Sequence, residues 1–301
     1  MITYSVLITN YNTWILTNRC IQFVSQWSKH NNNIKQILVV DDASSEVMPE
    51  HILVSDQVKV IHNHENRGYV ASVNRGFSEL QEDIVILLDS DAYPLMDLTE
   101  AISQAFSNNH KLGAVGFQLV DEKGKPTGSH EKVPTAIELL LGQTLTSRIN
   151  PYLPIKNKQI MCLYSCAIAV RREAFEEIGG FDEGFDFLDA DIDFSIRLQQ
   201  AGWEIQIIPQ LRVFHTGGGS PQTTAKRVLR FHRNRWRLLS KHQLLPVPNL
   251  LKIGLAIRHI SEYIILKICG HFLIQDSIRL KDKLYSRQEL LYQVWNNYGN
   301  K

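Results

Sequence analysis

Along the N-terminal third of the chain, apolar residues fall in short unbroken runs. They are Ser5-Val6-Leu7-Ile8-Thr9, Ile37-Leu38-Val39-Val40, Val58 to His62, and Ile84-Val85-Ile86-Leu87-Leu88. A continuous aliphatic run of this length reads as a strand covered on both faces, as in a parallel sheet. Between the first two runs, Leu16, Cys20, Phe23 and Val24 recur at helical spacing, and between the last two Val70, Val73, Phe77 and Leu80 do the same. Strands alternating with helices predict βαβ units, hence an α/β fold with a mostly parallel central sheet and helices on both faces. Ligands of such sheets lie beyond the carboxyl ends of the strands. Tyr11, Asp42 and Asp89 all fall there.

The fourth run ends in Asp89-Ser90-Asp91. If the backbone stays extended through Ser90, the two carboxylates point the same way and can converge on one cation or its water shell. Carboxylate oxygens suit Mg²⁺ or Mn²⁺, which in turn hold a diphosphate. The competing reading is a strand-end turn with solvated acids. Polar groups at three separate strand ends favour the first. No G-x-G-x-x-G follows the first strand, which argues against a dinucleotide cofactor.

The order of the motifs carries a resemblance. Thr9-Asn10-Tyr11-Asn12 is followed by Val40-Asp41-Asp42-Ala43-Ser44, Asn66-Arg67-Gly68-Tyr69, Asn74-Arg75-Gly76 and Asp89-Ser90-Asp91. Arg171-Arg172-Glu173-Ala174-Phe175, Gly179-Gly180-Phe181-Asp182-Glu183, Asp191-Ile192-Asp193-Phe194 and Gly202-Trp203 come later. This set, over roughly residues 3 to 220, resembles family 2 glycosyltransferases of the GT-A fold, and among them bacterial rhamnosyltransferase-type enzymes of surface polysaccharide synthesis.

The resemblance implies a metal-dependent inverting glycosyltransferase. Its donor would be a nucleotide-diphosphate sugar, dTDP-rhamnose or a UDP-sugar, and its acceptor a hydroxyl of a saccharide or lipid-linked saccharide. It implies Asp91 as metal ligand, with Asp89 facing the ion's water or the ribose, and Mg²⁺ or Mn²⁺ as cofactor. Thr9, Tyr11 and Asp42 would receive the base, with Asp41 the competitor or a helix cap. Asn66, Arg67 and Gly68 would form a second wall. Asp191 matches the catalytic acidic position at a helix start, where the helix dipole favours its ionised form. Asp193 would orient the acceptor or cap that helix. The family's Glu just before this Asp is replaced by Ala190, with Asp189 one place earlier. His215 would contact the metal or diphosphate, or else be structural; the glycine run after it, Gly217 to Gly219, reads as a loop that closes over donor.

Composition fits an enzyme of this size. Apolar residues make up 44% and charged residues 21%, and the net charge of +1 gives no global affinity for polyanions. Cys20, Cys162, Cys166 and Cys269 form no C-x-x-C pair, so buried reduced thiols are expected. With no basic region and apolar stretch at the start, no secretory signal is expected either. Both point to the cytoplasm.

The sequence divides into a catalytic domain over 1–225 and a helical extension over 226–301. Lys226 to Lys241 carries seven basic residues and no acidic one, among Val228, Leu229, Phe231, Trp236, Leu238 and Leu239. Leu250 to Ile274 is apolar but interrupted by Lys252, Arg258, Glu262 and Lys267, too often for a membrane-crossing helix. The extension suits an interfacial helix on anionic lipid, peripheral at the inner face of the cell membrane, or a helix packed on the catalytic domain. Nucleic-acid binding through the basic stretch would leave the strand-end acids without purpose, so no nucleic acid is expected as partner. A catalytically silent nucleotide-sugar-binding or scaffold protein on the same fold would keep the sheet, but Asp42, Asp91 and Asp191 are all present.

Overall fold

The computed structural model describes residues 2–28, 33–50, 52, 57–142, 145, 146, 148, 160–215 and 224–296. The chain divides into two compact units, Met1–Val133 with Gln159–Gly219, and Pro134–Lys158 with Ser220–Lys301.

The first unit starts with β1 (Tyr4–Asn10), α1 (Trp14–Ser28), β2 (Ile34–Asp41), β3 (Val58–His62), α2 (Tyr69–Ser78) and β4 (Ile84–Asp89). The short β5 (Ala92–Pro94) follows, then α3 (Thr99–Asn108), β6 (Leu112–Val120), β7 (Pro126–Gly128) and β8 (His130–Lys132). After α4 (Ala136–Leu141), which belongs to the second unit, come β9 (Met161–Leu163), β10 (Ala167–Arg171), α5 (Arg172–Glu177), α6 (Ala190–Gln200) and β11 (Glu204–His215).

The main sheet has the order β3-β2-β1-β4-β10-β6-β11-β5, with β7 added to β6. From β3 to β4 the strands are parallel, as the apolar runs predict. β10 then runs against both β4 and β6, so the sheet as a whole is mixed. Alternation along β1 separates its two faces. Val6 and Ile8 share a core with Cys20, Ile21 and Val24 of α1, whereas Leu7 meets α2, where a Cβ on Gly76 would lie 2.3 Å from its Cδ1. Helices therefore cover both faces, and every residue from Ile84 to Leu88 is buried.

The second unit contains α4, α7 (Thr224–Lys241), α8 (Pro248–Leu273) and α9 (Ser277–Trp295). Its core holds Leu139, Trp236, Leu239, Leu255, Leu290 and Val294. Thr135 and Glu138 form a reciprocal capping box at the start of α4. At its other end, Arg258 donates to the carbonyls of Leu139 and Leu140. No helix among the described residues is long and apolar enough to cross a membrane. Cys20, Cys162 and Cys166 are buried free thiols, but Cys269 on α8 is exposed, against the expectation that all four are buried.

Candidate active site

The carboxyl ends of β2, β1 and β4 are in register. Thr9 lies opposite Val40 on one side and Asp89 on the other, and Asn10 lies opposite Asp41. The two loops that follow β1 and β2 are stitched together by side chains. Asn12 adopts φ 53°, and its Oδ1 accepts from the amides of Ser45 (2.8 Å) and Glu46 (3.1 Å). Asn10 donates to Asp41 Oδ1 at 2.7 Å, and His62 Nδ1 lies 3.0 Å from Asp41 Oδ2. Asp41 also accepts from the Ser44 hydroxyl and amide. No helix begins at this cluster, so Asp41 is not a helix cap. It is the buried knot that holds the β1 and β2 loops. Thr9 is left half-buried and Tyr11 exposed at 47%.

Asp42, one residue further, is buried and fixes the next loop. Its Oδ1 accepts from Asn63 Nδ2 (2.7 Å) and the Arg67 amide (2.9 Å), and its Oδ2 accepts from the Gly68 amide (2.8 Å). A carboxylate can accept about four hydrogen bonds, so one lone pair remains available. Gly68 precedes α2 with φ 88°, a conformation that favours glycine, and a Cβ there would meet no atom within 4 Å. Asn66 is exposed, and the Arg67 guanidinium pairs with Glu183 at 3.1 Å.

The chain does not stay extended through Ser90. Ser90 and Asp91 form a turn between β4 and β5, pinned by Thr13 Oγ1 donating to Ser90 Oγ at 2.8 Å. The carboxylates converge nonetheless, because the turn brings the chain back into β5, which pairs with β11 so that His215 lies opposite Ala92. His215 Nε2 is then 3.5 Å from Asp91 Oδ1, and ligand atoms of Asp89, Asp91 and His215 all lie within 4.8 Å of one another. Asp89 Oδ1 is buried with no hydrogen-bond partner among the described residues. Burial first, then the charge of Asp91, pushes the Asp89 carboxyl up to about 7, while the Tyr69 hydroxyl pulls the other way. Two carboxylates and an imidazole around an unpartnered buried oxygen fit a divalent cation.

Asp191 lies in the first turn of α6 and joins this centre through a two-residue bridge, Ser165–Cys166. The Ser165 amide donates to Asp191 Oδ2 at 3.4 Å, and the Ile192 amide to Oδ1 at 3.0 Å. The Tyr69 hydroxyl donates to the Ser165 carbonyl at 3.2 Å, and the Asp89 amide to the Cys166 carbonyl at 2.9 Å. Asp191 is close enough to Asp89 for its charge to raise the Asp89 carboxyl further. Burial, then the neighbouring Asp189, pushes the Asp191 carboxyl up to about 6, and the backbone amides only partly offset this. Asp193 neither orients an acceptor nor caps the helix: fully buried, it accepts from Arg197 Nε at 2.7 Å, and Arg197 also donates to the Ile178 carbonyl.

Asp89, Asp91, His215 and Asp191 thus belong to one neighbourhood, and Asp42 orders the adjoining loop. The glycine run at 217–219 lies outside the described residues. Tyr69 stands in a quoted motif without an assigned role, and an aromatic residue just before a helical pattern is the only sequence sign of one. Ser165 and Cys166 act through main-chain atoms, which residue types do not advertise.

The mixed sheet, with helices on both faces and with acids and a histidine gathered at the ends of its strands, is that of an α/β protein of the GT-A fold. The profile of Glycosyl transferase family 2 matches residues 5–179, and the chain belongs to that family. It is a glycosyltransferase. Similar proteins include the N-acetylglucosaminyl-diphospho-decaprenol L-rhamnosyltransferase of Mycobacterium tuberculosis, 25% identical over 64% of this chain and 70% of that one. The O-antigen chain rhamnosyltransferase WbaN of Salmonella anatum is 23% identical over 75% and 70%. Among solved structures, GalNAc-T7 with UDP, GalNAc and Mn²⁺ matches with a TM-score of 0.59 at 17% identity, over 80% of this chain and 48% of that one. The mannosyltransferase PcManGT from Pyrobaculum calidifontis, with GDP-Man and Mn²⁺, gives 0.54 at 14% identity over 98% and 87%.

Proposed function

We propose that the protein is a metal-dependent, inverting glycosyltransferase that moves a sugar from dTDP-rhamnose or a UDP-sugar to a hydroxyl of a saccharide or lipid-linked acceptor in cell-surface polysaccharide synthesis. The observation that carries this reading is the convergence of Asp89, Asp91 and His215 beside a separate carboxylate, Asp191, tied to the same Ser165–Cys166 bridge. The relatives' names support the rhamnosyl donor, and the buried thiols suit a cytoplasmic enzyme working at the inner face of the membrane.

Asp89, Asp91 and His215 would hold Mg²⁺ or Mn²⁺, whose charge offsets that of a departing nucleoside diphosphate. In our reading Asp191 takes the proton of the acceptor hydroxyl as its oxygen bonds to the anomeric carbon. The bond from that carbon to the diphosphate oxygen breaks, and the leaving group keeps the electron pair. One displacement inverts the anomeric configuration and needs no enzymic nucleophile. A carboxyl held at about 6 is ionised at neutral pH yet basic enough to accept that proton. Tyr11 offers an aromatic face to the base, Thr9 and the remaining lone pair of Asp42 offer polar contacts, and Asn66, Arg67 and Gly68 wall the donor.

The test is a panel of nucleotide sugars with Mn²⁺, scored by thermal shift and by release of nucleoside diphosphate with acceptor present. A donor that stabilises the fold only with metal, and is turned over, is the expected result. Metal-dependent binding without turnover for any donor and acceptor would leave a catalytically silent binding protein instead.

A further inference from the structure

Among the described residues, one face of α8 in the second unit is exposed. On α8, Leu250, Ile253, Ile257, Ile260, Ile264 and Ile268 are 64, 48, 60, 47, 48 and 69% exposed. Their intervals of three and four put them on one side of the helix, in a stripe of about 27 Å at 1.5 Å per residue. The opposite side carries the buried Leu255, Ala256, His259 and Gly270. A continuous exposed aliphatic stripe marks a docking surface.

Charge decides between occupants. Residues 220–301 carry fifteen Lys and Arg against four Asp and Glu, although the whole chain is nearly neutral at +1. All four acids are engaged inside the unit. Glu262 pairs with Arg258 and Arg287, Asp276 caps α9, Asp282 accepts from the Ala225 amide, and Glu289 accepts from Gln293. The exposed residues of α8 include Lys267 and His271 and no acid, and Arg279 and Lys281 are exposed on α9. Pairing two copies through the stripe would bring together two units of the same strong charge. An anionic bilayer surface instead offers hydrocarbon for the stripe and phosphate for the cations.

We propose that the α8 stripe lies in the surface of an anionic lipid bilayer, with the surrounding Lys and Arg on its headgroups. The inserted surface is α8, and the exposed cations beside it are Lys267 on α8 and Arg279 and Lys281 on α9. This deepens the proposed function, whose lipid-linked acceptor would be dissolved in the same surface.

The full chain is sedimented with vesicles of phosphatidylcholine alone or mixed with phosphatidylglycerol, without donor or metal, so the result is independent of transfer chemistry. The expected outcome is pelleting with the mixed vesicles, weakened by added salt, and about tenfold weaker for Ile257→Glu/Ile264→Glu. Both positions are about half exposed, and an unchanged melting temperature checks that the variant folds. Three results would overturn the proposal: wild type left in the supernatant, a double variant that pellets equally well, or a lipid-free dimer that the double variant converts to monomer.

Discussion

Asp191 is a carboxyl that its surroundings push toward the neutral form, and that gives it a pH signature. Because burial and Asp189 hold it at about 6, kcat/KM should fall about tenfold per pH unit below that value and level off above it. Asp189→Asn removes the neighbouring charge while keeping a residue that tolerates its left-handed backbone (φ 63°). The acid limb should then move to lower pH; a limb that stays put in a pH–rate profile would mean that Asp191 is not the group being read. Asp191→Asn should abolish transfer while donor affinity, followed by calorimetry, stays near wild type. Asp42→Ala should act on the fold as well as on donor binding. It leaves the Arg67 and Gly68 amides without their acceptor, at a cost of about 1–3 kcal/mol in urea unfolding.

At the scale of elements, the contact of α2 with β1 is tight enough to test. In Gly76→Ala the new methyl would fall on Leu7, which should destabilise the protein by about 1–3 kcal/mol in chemical denaturation. In the second unit His232 and His259 pack edge to face, 5.0 Å apart. Burial lowers both below the ordinary histidine range, reinforced by Arg258 and Arg287 and opposed by Glu262. The unfolded chain takes up these protons first, so stability should be full above about pH 6.5 and decline as pH falls below it. Between pH 7 and 5 the melting temperature of the wild type should fall relative to that of His259→Gln, a difference in which proton uptake by the raised Asp89 and Asp191 carboxyls is common to both proteins. β1 to β4 are legible in the sequence because their runs are continuous and buried. β6 is not, since Gly113 and Gly116 interrupt its pattern; the structure needs them small, as a Cβ on Gly116 would lie 2.6 Å from Leu163. Asp191 and Asp193 look equivalent at a helix start. Only the spacing of four from Asp193 to Arg197 hints that the second is spent internally.

For the whole molecule, the acids proposed for the chemistry and the bases proposed for lipid contact belong to different units, and the net charge of +1 hides both. Salt should therefore weaken vesicle binding while leaving turnover of a soluble acceptor far less affected, a contrast readable in parallel assays. Chelation should abolish turnover and any donor-induced rise in melting temperature, and Asp91→Asn should do the same with metal present. The Ser165–Cys166 bridge has a further consequence. Its own atoms in the links to Tyr69, Asp89 and Asp191 are peptide atoms, so the distance between the candidate metal site and Asp191 is encoded in chain geometry rather than in the side chains of Ser165 and Cys166. Side-chain changes at 165 or 166 that leave the backbone in place would therefore keep Asp191 at its present separation from Asp89.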